Sequence, residues 1–510
     1  MLSLVDTPCP DLPPASFNMA AYVLRHAQKT PDKIALAVLG GALGKPDAIW
    51  TYRELEAAVL GAATLFRQHG AQAGDKILMR LGNTVDFPIA YLAALSQGMV
   101  PVPTSAMLTA REINKIATEI EPTLIIAGPD IACPDTTDAT RIDQRAFEAG
   151  FTLPPAPYDM GPPERLAYII YTSGTSGNPR AVCHAHHAIW ARRMMYDGWY
   201  GITANDRMFH AGAFNWTYTL GTGLMDPWSV GATALIARDG TPAQALSALL
   251  SKHEATIFAA APGVYRQILK HDIHPKPCLR HGLSAGEKMP ESLRQAWNDA
   301  TGTHIYEAYG MSECSTFISG SPARPAPKGS SGYPQTGRRI AIVDDTGTPV
   351  SRGKEGSIAI SNRDLGLMIG YLGQDVETKA RFRGEWFLTG DMATMMDDGA
   401  ISYLGRDDDM MNAGGFRVSP VEVETVLNHH PEIQEAAAVE VEVKKDTTVI
   451  AAFYVADHTL EREALFAYTA SRLARYKQPR LYVRIDALPK GGNNKLLRRE
   501  LRETYEADHG

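Results

Sequence analysis

Residues 172–180 read Thr-Ser-Gly-Thr-Ser-Gly-Asn-Pro-Arg, directly after the apolar run Tyr168-Ile169-Ile170-Tyr171. Gly174 and Gly177 let the backbone turn where a Cβ would clash. Such a loop can aim several N–H groups at one point. Thr172, Ser173, Thr175 and Ser176 add hydroxyl donors, and Arg180 adds a fixed positive charge. That set suits a polyphosphate. The spacing is not that of a P-loop, since G-x-x-x-x-G-K-[ST] is absent, and no G-x-G-x-x-G occurs. A Ser/Gly-rich stretch by itself reads equally well as a surface turn. Its position at the end of an apolar strand favours a ligand loop, because α/β proteins bind ligands at strand ends. Taken singly, Glu313 in "EAYGMSE", Asp391 in "FLTGDMA" and Lys495 in "LPKGGNNKLL" would be a solvated carboxylate, a turn residue and a solvated cation.

The elements that must position these residues follow from periodicity. "FNMAAYVLRHAQ" and "TYRELEAAVLGAATLFRQHG" carry apolar residues at helical spacing, the latter ending in Gly70, a residue suited to a C-cap. "DKILMRL", "LIIAG", "LAYIIYTS", "ATALIA" and "ATIFAAAP" read as short strands alternating with helices. That alternation predicts a large α/β region on mostly parallel sheets. Near residue 340, "RRIAIVDDTGTPV" and "GSIAISN" read as strands joined by Gly and Asp turns. Beyond residue 409 a helix, two alternating strands and another helix predict a compact α+β unit. The expected organisation is an N-terminal domain over 1–404, a hinge at 405–409 and a small mobile C-terminal domain over 410–510.

At 510 residues the chain exceeds one ordinary core. Its 45% apolar and 21% charged content is that of a globular protein, and its net charge of −7 makes no case for nucleic acid or an anionic membrane surface. Five scattered cysteines without a C-x-x-C pair argue against a zinc ribbon or disulfide framework and fit a reducing compartment. No secretory signal or membrane span is expected, so the cytoplasm is the expected location. His184, His186 and His187 lack a carboxylate or thiol neighbour that would complete a metal site.

Together the motifs resemble the acyl-adenylate-forming superfamily of acyl- and aryl-CoA ligases, adenylation domains and firefly-type luciferases. The loop at 172–180 is similar to Tyr-Thr-Ser-Gly-Thr-Thr-Gly-x-Pro-Lys, with Ser176 for Thr and Arg180 for Lys. "EAYGMSE" is similar to Tyr-Gly-x-Thr-Glu, with Ser312 for Thr. "SAGEKM", holding Gly286 and Glu287, resembles the segment lining the adenine and acyl site. "YLGRDDDMMNAGGFRVSPVEVE" and "LPKGGNNKLL" complete the series in the family's order, with Asn494 where Gly is usual.

The resemblance implies a role for each position. Residues Thr172 to Gly177 and Arg180 would hold phosphates, and Glu313 would bind Mg²⁺, a hard cation that takes oxygen ligands. Ser312 would touch the α-phosphate and Tyr309 would stack on adenine. Asp391 and Arg406 would reach the ribose, Asp408 would be the hinge, and Lys495 the catalytic lysine. Gly414, Gly415 and Arg417 would enter the site in a second domain orientation. The implied reaction joins a carboxylic acid to ATP, releasing pyrophosphate, and then transfers the acyl group to a thiol. Coenzyme A is the expected thiol, since the sequence ends soon after Lys495. A separate carrier protein and a non-catalytic nucleotide-binding protein are the alternatives. Residues 209–236 would shape the acyl pocket, with Phe214, Asn215, Trp216 and Tyr218 as candidate walls. An aromatic acid, then a medium-chain acid, then a small polar acid are expected in that order. The other expected partners are ATP and CoA, with a monomer or dimer.

Overall fold

The computed structural model describes all residues except 9, 10, 46, 173–179, 408, 414, 415, 445, 446, 474, 492–495 and 510, and the side chains of 42, 412, 413, 416, 417, 444, 447, 476 and 509. Two helices show how the sequence places its elements. Tyr52–Gln68 starts at Thr51, whose side chain accepts from the Glu54 amide while Glu54 bonds back to Thr51. Ala110–Ile120 starts the same way with Thr109 and Glu112. Each pair satisfies amides that a helix start leaves open. Gly70 follows the first helix at φ 85°, a left-handed position that costs glycine nothing.

The largest sheet has nine strands. Its centre is parallel: Ile34–Leu39, Thr233–Ala237, Arg207–His210, Ile257–Ala259, His281–Ala285 and His304–Met311 lie side by side in that order. All of these but His304–Met311 are buried almost throughout, as strands covered on both faces must be. A second parallel sheet joins Val100–Pro103, Lys76–Arg80, Leu124–Ala127 and Thr140–Asp143. An antiparallel sheet contains Arg339–Val343, Glu355–Ser361, Trp386–Met395 and Ile401–Arg406. The C-terminal unit has its own sheet, Glu435–Lys444, Thr447–Val455 and Leu481–Arg484, and its own apolar cores around Leu427, Ile450 and Leu465 and around Val439, Ala451 and Leu501. The architecture is the expected one: α/β with mostly parallel sheets, followed by a separate α+β unit.

One difference concerns "SPVEVETVLNHHPEI", which reads as a single helix. The helix Pro420–Leu427 stops at Asn428. His430 then turns back, its ring nitrogen accepting from the Glu432 amide and its ring meeting Tyr468 edge-on. Among the described residues, no helix is long and apolar enough to cross a membrane. Cys133, Cys183, Cys278 and Cys314 are free thiols.

His184, His186, His210 and His281 are all buried, and burial lowers their pKa values from 6.5 to about 4, 3, 3 and 4. The folded state keeps them neutral, whereas the unfolded chain protonates them below 6.5. Their contribution to stability is therefore present above pH 6.5 and lost as pH falls toward 4. Tm, followed by calorimetry across that window, is expected to fall steeply. A Tm independent of pH there would show that these rings are not buried neutral.

Candidate functional site

The carboxyl ends of two parallel strands bring the first residues together. Ala285 pairs with Ala308, so Gly286, just past its strand, and Tyr309, within the neighbouring one, follow that pair. Such ends open the crevice where α/β sheets bind ligands. Gly286 has φ 95°, and a Cβ there would lie 2.8 Å from the Trp216 ring. Both the backbone and the indole therefore require glycine. Glu287 follows it, half-buried.

Tyr309 donates its O–H to Asp391 Oδ2 at 2.6 Å. Tyr403 donates to the other oxygen at 3.4 Å, and Arg406 Nη1 stands 3.9 Å from it. Asp391 and Arg406 are placed by register, facing each other across the antiparallel pair Trp386–Met395 and Ile401–Arg406. The Tyr309 ring meets Phe317 edge-on at 5.3 Å and Tyr403 at 5.6 Å. Burial first, then the Asp391 charge, raises the Tyr309 pKa, so the phenol remains a donor.

A second cluster forms around Glu313. Thr172 pairs with Arg180 across the strands Leu166–Thr172 and Arg180–Ala185, so the glycine-rich loop leaves and returns at one point. Val182 on the second strand pairs with Tyr371. Tyr371 donates to Glu313 Oε1 at 2.8 Å, and the Arg180 guanidinium lies 5.2 Å from the centre of the Tyr371 ring. Burial, and then the Glu313 charge, pushes Tyr371 up to about 12. Glu313 is buried, and its carbonyl accepts from the Met368 amide at 2.7 Å. A single carboxylate with one oxygen engaged by Tyr371 fits Mg²⁺ shared with a ligand's oxygens rather than held by protein alone. Among the described residues, no group of three or more His, Cys, Asp or Glu could hold a metal on its own.

Ser312 and Glu313 ride on a turn between His304–Met311 and Ser315–Ser319. Ser315 takes φ 63°, a left-handed position that costs energy for a residue with a Cβ. Arg192 donates to Ser315 Oγ and binds Asp226 through Nε at 2.9 Å and Nη2 at 2.6 Å. Tyr200 donates to Asp226 at 2.7 Å. His184 donates from Nε2 to the Ser312 carbonyl at 2.7 Å and stacks on Tyr168 at 4.9 Å. A cavity of about 40 Å³ lies here, lined by Thr217, Gly221, Ser312, Tyr168, His184 and Arg192 among others.

The candidate acyl walls separate. Phe214 is buried against Phe87 at 5.5 Å, and its amide donates to Asn83 Oδ1. Tyr218 is buried, stacked on Trp199 at 5.8 Å and donating to the Leu283 carbonyl at 3.1 Å. Trp216 covers Gly286, and Asn215 is half-buried beside it. None of these four lines the cavity, whereas their neighbour Thr217 does. Ser173, Gly174, Thr175, Ser176, Gly177, Asp408, Gly414, Gly415 and Lys495 lie outside the described residues. Arg417 is described only as backbone, paired with Asn412.

Residues 23–372 match the family model described as AMP-binding enzyme, and residues 422–495 that of the AMP-binding enzyme C-terminal domain. The chain belongs to the AMP-binding enzyme family. The benzoate–CoA ligase of Thauera aromatica is 30% identical over 508 residues, covering 92% of this chain and 95% of the relative. The mitochondrial acyl-coenzyme A synthetase ACSM3 of Rattus norvegicus is 28% identical, over 96% of this chain and 90% of the relative. Two solved structures superpose closely. An anthranilate CoA ligase in complex with anthranoyl-AMP has a TM-score of 0.86 at 25% identity, covering 97% of this chain and 98% of its own. A benzoate CoA ligase from Burkholderia xenovorans LB400 has a TM-score of 0.84 at 29% identity, covering 95% and 100%.

Within this family member, motif reading passed over Tyr371, Tyr403, Arg192 and Asp226. Tyr371 reaches Glu313 only through strand pairing, and Arg192 reaches Ser315 across 123 residues. The three neighbouring histidines turn to separate backbone groups: His184 to the Ser312 carbonyl, His186 to the Met19 amide and His187 to the Leu365 carbonyl.

Tyr309→Phe keeps the ring and deletes the donor to Asp391. Equilibrium denaturation is expected to show a loss of about 1–2 kcal/mol, because a buried carboxylate loses one bond. An unchanged midpoint would show that the bond contributes nothing.

Proposed function

We propose that this chain is an AMP-forming carboxylic acid:CoA ligase, working through an acyl-adenylate. Its family membership carries the reading. Two clusters support it: Tyr309 with Asp391 and Arg406, and Glu313 with Tyr371 and Arg180. In the first half-reaction an oxygen of the substrate carboxylate bonds to the α-phosphorus of ATP, and the bond to the bridging oxygen breaks, releasing pyrophosphate. Both reactants are anionic, so the protein's task is to neutralise charge and align. Residues 172–177 and Arg180 hold the phosphates, and Ser312 contacts the α-phosphate. Gly286 and Glu287 border the adenine, and Tyr309 stacks on it. Asp391, oriented by Tyr309 and Tyr403, accepts from the ribose hydroxyls, and Arg406 donates to the ribose oxygens. Mg²⁺, held by Glu313, would neutralise phosphate charge. Lys495 bridges the acyl carboxylate and the α-phosphate.

In the second half-reaction the CoA sulfur bonds to the acyl carbon, AMP leaves and the thiol proton is released. This half-reaction uses a different set of groups. The C-terminal domain, 410–510, turns about Asp408 within the 405–409 hinge, withdrawing Lys495 and bringing in Gly414, Gly415 and Arg417. In the structure, Arg498 ties that domain's last helix to Glu424 at 2.8 Å and to Asp409 at 3.5 Å. Glu435 bonds Lys490 of its own domain at 2.9 Å and Arg266 of the N-terminal domain. Of these pairs only Glu435–Arg266 joins the two domains, so it is the one that a change of domain orientation must break. The acid is aromatic or medium-chain, and the protein works in the cytoplasm, whose reducing conditions suit its free thiols.

Pyrophosphate release from Mg·ATP, measured over a panel of benzoates, fatty acids and short polar acids with and without CoA, tests the reading. Release that rises with CoA is expected. Release indifferent to CoA would indicate another acceptor, such as a carrier protein. Lys495→Ala is expected to slow release at least about a hundredfold, the scale of losing one transition-state contact, while calorimetric ATP binding survives. Unchanged release would remove Lys495 from the mechanism.

A further inference from the structure

The cavity beneath the Ser312 turn joins two parts of the proposed machinery. Thr217 and Gly221 come from the segment proposed to shape the acyl pocket, and Ser312 from the contact proposed for the α-phosphate. An acid activated at that phosphate must lie between them. The floor is polar. His184 is 3% exposed, and its Nε2 is committed to the Ser312 carbonyl. Because a carbonyl only accepts, Nε2 carries the proton and Nδ1 carries the lone pair. That Nδ1 is buried and has no hydrogen-bond partner among the described residues. A buried acceptor without a donor costs free energy, so such a group is expected to meet a donor from elsewhere.

The charge of the site narrows the donor. Arg192 also lines the cavity, but Asp226 neutralises it through two bonds, so the floor carries no net positive charge to attract a second carboxylate. Burial lowers the His184 pKa to about 4, which keeps that ring uncharged as well. Arg192 also fills the space in which a side chain at position 221 would stand, since a Cβ on Gly221 would overlap the guanidinium. The volume of about 40 Å³ has room for about three water-sized groups, whereas a cavity that holds benzene is about 150 Å³. This space takes a polar substituent and the atoms beside it, not a whole ring.

We infer that His184 determines substrate choice, its Nδ1 accepting a hydrogen bond from a hydroxyl or amino group on the acid. The preferred substrates are neutral-tailed hydroxy or amino carboxylic acids rather than their unsubstituted counterparts. The inference rests on the ligase reading.

The test measures kcat/KM for pyrophosphate release with matched acids on the full chain. The pairs are benzoate with 3-hydroxybenzoate, benzoate with 2-aminobenzoate, and butanoate with 4-hydroxybutanoate, with butanedioate as a charged control. In at least one pair the donor-bearing acid is expected to win by at least about tenfold, as sites built to bond a hydroxyl do. His184→Phe keeps an aromatic ring against Tyr168 and deletes the acceptor, so that ratio is expected to collapse toward one. His184→Gln retains an acceptor and is expected to restore part of it. A purely structural role for His184 would lower both members of a pair equally and leave the ratio intact, which would overturn the inference. Wild-type ratios near one in every pair, or preference for butanedioate, would overturn it whether or not the variants fold. Release with plain acids in those cases would leave the ligase reading standing. No release with any acid would overturn the ligase reading itself, and this inference with it.

Discussion

Arg192 lies under the turn that carries Ser312 and Glu313, and much of the site's geometry depends on how that guanidinium is held. Ser315 adopts a left-handed backbone that a residue with a Cβ resists, and Arg192 binds its hydroxyl. Asp226 and Tyr200 fix the guanidinium in turn. Such a buried pair gains little net stability over apolar residues of the same size, yet losing one partner leaves an uncompensated charge in the interior. Its value here is positional. It keeps the turn in the one shape that presents Glu313 to Tyr371 and the Ser312 carbonyl to His184. Strain kept at a site by surrounding structure is a known way to preorganise chemistry.

A second constraint joins the proposed nucleotide site to the proposed hinge. Tyr309 belongs to the nine-stranded sheet, and Asp391 to the antiparallel sheet that runs on into the hinge. Their bond ties the two sheets at one point. Asp391 also faces Arg406, only two residues before the proposed hinge position, and the Asp407 amide donates to the Gly390 carbonyl at 2.9 Å. The strand that holds the carboxylate proposed for the ribose is therefore braced against the strand that leads to the proposed hinge. Beyond the proposed hinge, Arg498 binds Asp409 and Glu424, which ties the last helix to the start of the small domain.

Much of the fold was legible because its signals are local. The helix Tyr52–Gln68, the strand Leu166–Thr172 and the alternation that builds the parallel sheets depend on neighbours in sequence. The helix expected past Leu427 was not so legible. His430 leaves helical spacing to meet Tyr468, a residue 38 positions away, and no local propensity carries that information.

The site divides along the same line. Residue types by themselves suggested one chemistry, small hydroxyl residues and glycines with Arg180 for phosphates, whereas Glu313 for a hard cation and Asp391 for hydroxyl donors came only as what the family resemblance implied. They determined the family too, because motifs in fixed order survive when each alone is ambiguous. Tertiary structure decided which groups support them. Tyr371 reaches Glu313 by strand pairing, Arg192 reaches Ser315 from the end of the helix Ala188–Ala191, and His184 donates to the Ser312 carbonyl at the wall of a cavity. Of the aromatic segment 214–218, packing placed Phe214 and Tyr218 in cores and left Thr217 on the cavity. Burial and hydrogen-bond direction are properties of the packed chain, and spacing along the sequence does not encode them.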